Sequence, residues 1–256
     1  MSFFSKVFSA ITAHPSPRGA AGFRAYAVGD VHGRLDLLNL LLAKIEVDIA
    51  SRRKAKNLVI FLGDLVDRGP QSAQVVERLR TWQPENAKAI FLCGNHEEVL
   101  LRVLAGERTF LAGWLKYGGA ECLASYGLPV ASLDGKSEGE ALALIKAAIP
   151  SAHQEFISGF SDTLRFGDYL FVHAGIRPGL KISDQVRKDL RWIRQPFLED
   201  LTDHGVTVVH GHTITESVDQ RPNRIGVDTG AYRTGVLTAI AIEGTRRWFL
   251  DTASPA

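Results

Sequence analysis

A chain of 256 residues with 45% hydrophobic and 23% charged residues has the make-up of a folded globular protein and is long enough for one large core. Its 30 basic and 28 acidic residues leave a formal charge of +2, too even a balance to argue for a nucleic-acid or membrane surface. Two cysteines, Cys93 and Cys122, make no disulfide framework and no Cys-x-x-Cys pair, which points to a reducing, cytoplasmic compartment.

At the start of the chain, Phe3, Phe4, Val7, Phe8 and Ile11 fall on one side of a short helix at 3.6-residue spacing. With only Lys6 for positive charge and no continuous apolar run, residues 3–11 are neither a secretory signal nor a transmembrane span. The segment is expected to pack on its own domain, with contact to a partner or a membrane as the alternative. His14-Pro15-Ser16-Pro17 and Gly19 to Gly22 read as a linker, so residues 1–22 precede a single domain over 23–252.

A first strand is predicted at Arg24 to Val28, ending in Gly29-Asp30-Val31-His32-Gly33. Asp30 and His32 alternate in an extended segment, so both side chains can face one ion. Leu35, Leu37, Leu38, Leu41, Leu42 and Ile45 form the apolar stripe of a crossover helix, and the basic run Arg52, Arg53, Lys54 and Lys56 follows where that helix should end. The second strand, Leu58 to Leu62, runs into Gly63-Asp64-Leu65-Val66-Asp67-Arg68-Gly69. Gly63 permits a sharp turn that projects Asp64 from the carboxyl edge of a sheet, where open α/β sheets collect ligands. Gly69-Pro70 is expected to open the next helix, with Val75, Val76 and Leu79 inward. A third strand at Lys88 to Cys93 closes on Gly94-Asn95-His96-Glu97 and completes a βαβαβ half.

From about residue 100 to 165 the pattern turns helical, broken at Gly106, Gly113, Gly118-Gly119, Gly127-Leu128-Pro129 and Pro150. This insertion is assigned to covering a site or shaping a substrate groove, with His153 an ordinary surface histidine. Strand character returns at Tyr169 to Val172, which delivers His173, and at Val206 to Val209, which delivers His210-Gly211-His212-Thr213. Further short strands are predicted near Arg224 to Val227, Val236 to Ile242 and Arg246 to Leu250, with Asp228-Thr229-Gly230 in a turn.

Five strand ends thus present Asp30 and His32, Asp64, Asn95, His173, and His210 or His212. Mixed carboxylate and imidazole ligands suit manganese, iron or zinc. The set is too large for one tetrahedral ion; two ions sharing Asp64, roughly 3.5 to 4 Å apart, would hold both oxygens of an in-line phosphoryl displacement. A cysteine nucleophile is excluded, since a thiolate phosphatase needs arginine six residues after the cysteine, where this chain has Val99 and Leu128.

Gly29-Asp30-Val31-His32-Gly33, Gly63-Asp64 to Asp67-Arg68-Gly69 and Gly94-Asn95-His96-Glu97 resemble the signature set of the phosphoprotein phosphatase family of metallophosphoesterases. His173-Ala174-Gly175, Gly211-His212-Thr213 and Asp228-Thr229-Gly230-Ala231 extend the likeness toward its bacterial and phage serine/threonine phosphatase branch, over roughly residues 24–250. The resemblance implies a catalytic domain of α/β class, a sandwich of two mixed β-sheets flanked by helices. It further implies two divalent ions, manganese foremost, with Asp30, His32 and Asp64 on the first and Asn95, His173 and His212 completing the second. His210 is left to support a ligand or the fold. The general acid falls on His96, oriented by Asp67, and the phosphate clamp on Arg68 with Arg194, or else Arg191, as its second arginine.

The expected activity is hydrolysis of phosphoserine and phosphothreonine in proteins or peptides by a dinuclear-metal-activated hydroxide. A symmetric diadenosine tetraphosphatase, or another phosphoesterase on the same site, is the alternative enzyme. Asp67 and Glu97 tilt the choice to the phosphatase, because such tetraphosphatases typically lack an acid at the first place and Glu at the second. From another class, an inactive binding module that kept the fold is disfavoured by the intact ligand set.

Overall fold

In the computed structural model, which describes residues 16–253, two-residue alternation along the central strands sorts the core into layers. Strand β1 (Phe23–Val28) sends Ala25 and Ala27 to one side and Tyr26 and Val28 to the other, and β2 (Lys56–Phe61) does the same with Ile60 against Val59 and Phe61. Tyr26, Val28, Val59 and Phe61 meet Leu38, Leu41, Leu42 and Ile45 of helix α1 (Leu35–Ser51) and Val75 and Leu79 of helix α2 (Ser72–Arg80). The periodic leucines of α1 therefore cover one face of the sheet.

Strand β3 (Ala87–Phe91) runs parallel to β2, as β2 does to β1. Next come helices α3 (Asn95–Leu104), α4 (Arg108–Trp114), α5 (Ala120–Ser125), α6 (Glu138–Ala148) and α7 (Ser151–Ser158), which share a core of Leu100, Trp114, Leu123, Ile145 and Ile157. Strands β4 (Thr163–Phe166), β5 (Tyr169–Val172), β6 (Thr207–His210), β7 (Asp219–Gln220) and β8 (Arg224–Gly226) follow, with helix α8 (Arg187–Trp192) between β5 and β6. Helix α9 (Ala231–Thr234) leads to β9 (Thr238–Glu243) and β10 (Arg246–Asp251).

These strands make two mixed five-stranded sheets, ordered β10-β9-β1-β2-β3 and β4-β5-β6-β8-β7. Ala25, Ala27, Ile60, Phe171, Val209, Ile225 and Ile240 pack between them. Leu170, Val172 and Val208 face outward against Leu190, Ile193 and Phe197. The expected α/β sandwich of two mixed sheets with helices outside is the observed fold. No helix among the described residues is long and apolar enough to cross a membrane.

Three local expectations differ from the structure, and a fourth falls outside it. Helix α2 begins at Ser72, not at Pro70, because Ser72 Oγ accepts the Asp67 backbone N–H at 2.9 Å and Gln71 N–H donates to Gly33 O, which holds Pro70 in the preceding turn. The short strands β4 and β7 were not foreseen; each lies at a sheet edge, pairs with one neighbour and lacks a long apolar run. His153 is not a surface residue: it is buried between Tyr126 Oη at 2.9 Å and Glu77 Oε2 at 3.0 Å, joining three helical segments. The helix expected at residues 3–11 lies outside the described residues.

Candidate metal centre and cleft

Parallel pairing puts the carboxyl ends of β1, β2 and β3 at one edge of the first sheet, and those of β5, β6 and β8 at the facing edge of the second. The residues that follow these ends converge there. His32 Nε2 lies 3.5 Å from Asp64 Oδ2, His173 Nε2 lies 3.4 Å from Asp64 Oδ1, and Asn95 Oδ1 lies 3.0 Å from His173 Nε2. Two groups have the spacing to hold an ion, His32-Asp64-His96 and Asp64-His173-His212, and Asp64 belongs to both. Asp30 joins the cluster through the second sheet, accepting the His212 backbone N–H at 3.1 and 3.2 Å.

The imidazoles are preset. His32 Nδ1–H donates to Val66 O at 2.8 Å and His173 Nδ1–H to Leu62 O at 2.9 Å, so each ring turns its Nε2 lone pair inward. His32 Nε2 and His212 Nε2 are buried without any hydrogen-bond partner. Burial lowers His32 to about 3 and His212 to about 2, which keeps both rings in the neutral form that ligates metals. Burial, then the charges of Asp228 and Asp64, raise Asp30 well above the usual carboxylate range. Buried carboxylates that repel one another, set among neutral imidazoles with unpartnered nitrogens, fit divalent cations. His210 points elsewhere, with Nδ1 on Gly211 O at 3.0 Å and its ring against Phe197.

The backbone at this edge is unusual. His32, Asp64, Asp67, Arg68 and His212 are the non-glycine residues with positive φ among those described. At φ 44, His32 is not in the extended segment expected from its alternation with Asp30; the turn itself aims its ring. Gly63, at φ 107, lets the second strand pass so close to the third that a Cβ there would lie 2.6 Å from Gly94 N and 2.9 Å from His173 Nδ1.

Glu97 fixes this arrangement. Fully buried in the first turn of α3, it accepts Asp64 N–H (2.8 Å) and Gly94 N–H (2.9 Å) on Oε2, and Leu65 N–H (2.7 Å) and Val66 N–H (3.4 Å) on Oε1. From the same helix, His96 N–H donates to Asp64 Oδ1 at 3.0 Å. Glu97 is thus a brace between two ligand loops. It does not line the cleft, which removes it as a marker of substrate class.

A cleft of about 450 Å³ opens beside the cluster, lined by Arg68, Asn95, His96, Arg194 and His212 on one side and by aromatic residues of the helical insertion on the other. His96 Nδ1 lies 2.7 Å from Asp67 Oδ2, and Arg68 Nη2 lies 3.0 Å from His96 Nε2. Both Asp67 oxygens also accept Trp114 Nε1–H, at 3.0 and 3.1 Å. Burial alone would lower His96, but Asp64 and Asp67 outweigh it and raise its pKa. Arg194 lines this cleft and donates to His212 O at 3.4 Å, whereas Arg191 is tied to Asp162 and Glu98 and faces a neighbouring hollow.

Trp114, Tyr232 and Asp228 were given no role from the sequence. The Arg68 guanidinium lies 4.9 Å over the Tyr232 ring, and Asp228 faces Asp30. The turn signal Asp228-Thr229-Gly230 pointed to one of them; nothing in the spacing of Trp114 or Tyr232 did.

Comparison with known proteins agrees with this geometry at the level of family. The sequence model of the calcineurin-like phosphoesterases matches residues 23–231. A relative from Methylococcus capsulatus, a symmetrical bis(5'-nucleosyl)-tetraphosphatase, is 28% identical over 86% of this chain and 92% of its own. The PrpE bis(5'-nucleosyl)-tetraphosphatase of Anoxybacillus flavithermus, an asymmetrical enzyme, is 28% identical over 83% of this chain and 88% of its own. A solved structure provisionally named a diadenosine tetraphosphatase has the same fold, with TM-score 0.63 and 20% identity over 92% of this chain and 98% of its own.

The Glu97 brace sets the first test. Glu97→Ala leaves at least three short backbone N–H bonds unmade in a buried place, at about 1–3 kcal/mol each, so stability should fall by roughly 3 kcal/mol or more. Glu97→Gln keeps one acceptor oxygen and should lose less. Urea midpoints at unchanged m measure both, and an Ala variant as stable as the parent would contradict the brace.

Proposed function

The chain belongs to the calcineurin-like phosphoesterase family, and on that premise we propose that it is a metal-dependent hydrolase of dinucleoside polyphosphates, with diadenosine tetraphosphate as the representative substrate. The observation that carries the choice of substrate is the end-to-end similarity to two relatives named for tetraphosphatase activity. This reverses the order expected from the motifs, in which the protein phosphatase came first. One of the two residues behind that order, Glu97, is spent on the fold.

On this reading Asp30, His32 and Asp64 hold one ion and Asn95, His173 and His212 a second, with Asp64 common to both; the spacing supports the sharing of Asp64 and the pairing of His173 with His212, while it sets His96, kept here for the proton, and not Asp30 beside His32 and Asp64. Divalent ions held there would supply Lewis-acid charge and an activated water. The chain's own groups do the rest. Arg68 and Arg194, which both line the cleft, offer guanidinium donors to the equatorial oxygens of the attacked phosphoryl group. His96, its Nδ1 fixed by Asp67 and Trp114 beyond, turns Nε2 to the cleft, where it accepts from Arg68 Nη2 at 3.0 Å; once that guanidinium turns to the phosphate oxygens, Nε2 is free to carry the proton for the departing oxygen.

A second reading has one specific observation in its favour. The Asp67–His96 pair is the apparatus that a serine or threonine alkoxide needs, being a poor leaving group, whereas a nucleoside polyphosphate departs as a weaker base with less help. Phosphoprotein hydrolysis is therefore the competing substrate class on the same site.

Four measurements test this assignment. The manganese-loaded enzyme should have a higher kcat/KM on diadenosine tetraphosphate than on phosphoserine, phosphothreonine and phosphotyrosine peptides; the opposite ranking promotes the second reading. Chelation should abolish hydrolysis and manganese restore it. Metal analysis should find about two ions per chain in the parent, fewer at both positions in Asp64→Asn, and retention of one in His173→Ala, because only Asp64 is shared; equal loss in both variants would refute the division of ligands. His96→Ala should lose about 10² to 10⁴ in turnover on a phosphoserine peptide while keeping its metals, and much less on diadenosine tetraphosphate. One common factor on both substrates would take the acid role from His96.

A further inference from the structure

The helical insertion meets the cleft through a break in its own helix. Between α4 and α5, residues Leu115–Gly119 form a single π turn in which Tyr117 (φ −102, ψ 21) and Gly118 (φ 119, ψ −2) leave helical geometry. Such turns recur at functional sites because the extra residue redirects neighbouring side chains. Here the turn serves two ends. Gly118 O accepts the backbone N–H of Arg68 at 3.1 Å, and any Cβ at position 118 would strike Arg68 N at 2.5 Å, so the turn seats the residue that carries the phosphate-side guanidinium. Tyr117, meanwhile, is thrown outward and is 64% exposed on the cleft rim.

Across the same cleft stands Trp192, 38% exposed at the end of α8. Tyr117 and Trp192 are the aromatic members of the exposed large hydrophobic side chains among the described residues, and both belong to this one cleft. Trp192 is not loose. Its Nε1–H donates to Glu98 Oε2 at 3.1 Å, and Glu98 is itself held by Arg102 at 3.2 Å and Arg191 at 3.5 Å. A tethered indole that still leaves over a third of its surface in water gives up rotamer freedom without full burial, which makes sense where its open part has a flat ligand to receive. Phe110 and Val99 extend the apolar wall, while Arg68, Arg194 and His96 keep the inner end cationic and polar.

We propose that Tyr117 and Trp192 form a nucleoside subsite, stacking the base of one half of a dinucleoside polyphosphate while the arginines and the metal centre take its phosphates. The inference rests on the dinucleoside polyphosphate reading and deepens it. The occupant follows from the order of the chemistry along the cleft: anionic phosphate at the arginine end, a flat apolar ring at the rim. About 450 Å³ is within the roughly 300 to 1,000 Å³ usual for small-molecule clefts and takes one nucleoside half. Base recognition by stacking tolerates any base, so the subsite should accept adenosine and guanosine alike.

The test uses the manganese-loaded full chain. Tyr117→Ala and Trp192→Ala should each raise KM for diadenosine tetraphosphate by about 5- to 100-fold, the range that base–aromatic stacking supports. The inhibition constant of inorganic phosphate, which has no base, should stay within about twofold, and Tyr117→Phe and Trp192→Phe, which keep a ring, should recover most of the KM. If the parent hydrolyses the dinucleotide but neither Ala variant moves its KM, the subsite is wrong and the substrate class stands. A parallel rise in the phosphate constant also overturns the subsite, since the defect then lies in the inner site. If KM rises for a phosphoserine peptide and not for the dinucleotide, the rim is a peptide groove. No turnover of the dinucleotide by the parent enzyme removes the substrate class and the subsite together.

Discussion

Five difficulties of backbone geometry, from three separate loops, sit in one place, and the molecule is arranged to solve them. His32, Asp64, Asp67, Arg68 and His212 all carry side chains, yet all occupy the left-handed region. At about 1–3 kcal/mol each, that strain is comparable to the whole stability of an ordinary domain, about 5–15 kcal/mol, so it has to be offset locally. Each of the five N–H groups has a dedicated acceptor: His32 uses Asp64 O, Asp64 uses Glu97, Asp67 uses Ser72 Oγ, Arg68 uses Gly118 O, and His212 uses Asp30. None of these bonds is part of a strand ladder or a helix. They join β1 to β2, β2 to α3, β2 to the insertion, and one sheet to the other, so the site is also where the separate layers are tied.

This explains why the helical insertion cannot be regarded as a lid added to a finished site. Trp114 of α4 donates to the carboxylate that holds the His96 ring, and Gly118 receives the Arg68 amide. Without these contacts Asp67 would keep an unmet acceptor in a fully buried position and Arg68 would lose the partner of its strained amide. The insertion therefore holds both the Asp67 carboxylate beside His96 and the backbone of Arg68, while its π turn presents Tyr117 to solvent. On the proposed function, chemistry and substrate contact would be coupled through Trp114, Tyr117 and Gly118.

What could be read from the sequence follows from how local each cause is. The ends of β1, β2 and β3 were legible because apolar runs stop at glycine followed by polar side chains, a pattern contained in ten residues, and β5 was legible as a short apolar run that delivers a histidine directly. Asp30, His32, Asp64 and Asn95 stood out for the first reason and His173 for the second, whereas His212 was chosen over His210 only through the family resemblance. Edge strands β4 and β7 were not, since two to four residues with one partner carry no periodic signal. Glu97 was noticed for its position in a motif and taken as a mark of substrate class; three of its four amide partners lie some thirty residues back, so its bracing role is apparent only when the loops meet. Trp114, Tyr117 and Trp192 were invisible as a set, because aromatic residues at unrelated spacings become one wall only through tertiary packing.

The charge distribution then separates what all phosphoesters share from what distinguishes them. Asp30, Asp64 and Asp228 are buried near one another, the surrounding His32 and His212 are neutral, and an anionic phosphate could not approach such a place unless cations came first. On the proposed function, the attraction for phosphate would then be strong and indifferent to what the phosphate is attached to, because Arg68, Arg194 and the ions would meet only its oxygens. Discrimination has to come from beyond the reach of that field, and on this molecule the surfaces beyond it are of two kinds. On the proposed function, His96 with Asp67 would address the basicity of the departing oxygen, and the aromatic rim the shape of what departs or stays. On that reading, a relative that kept the strand ends but changed the residues at positions 67, 117 and 192 should keep the reaction and change its substrate.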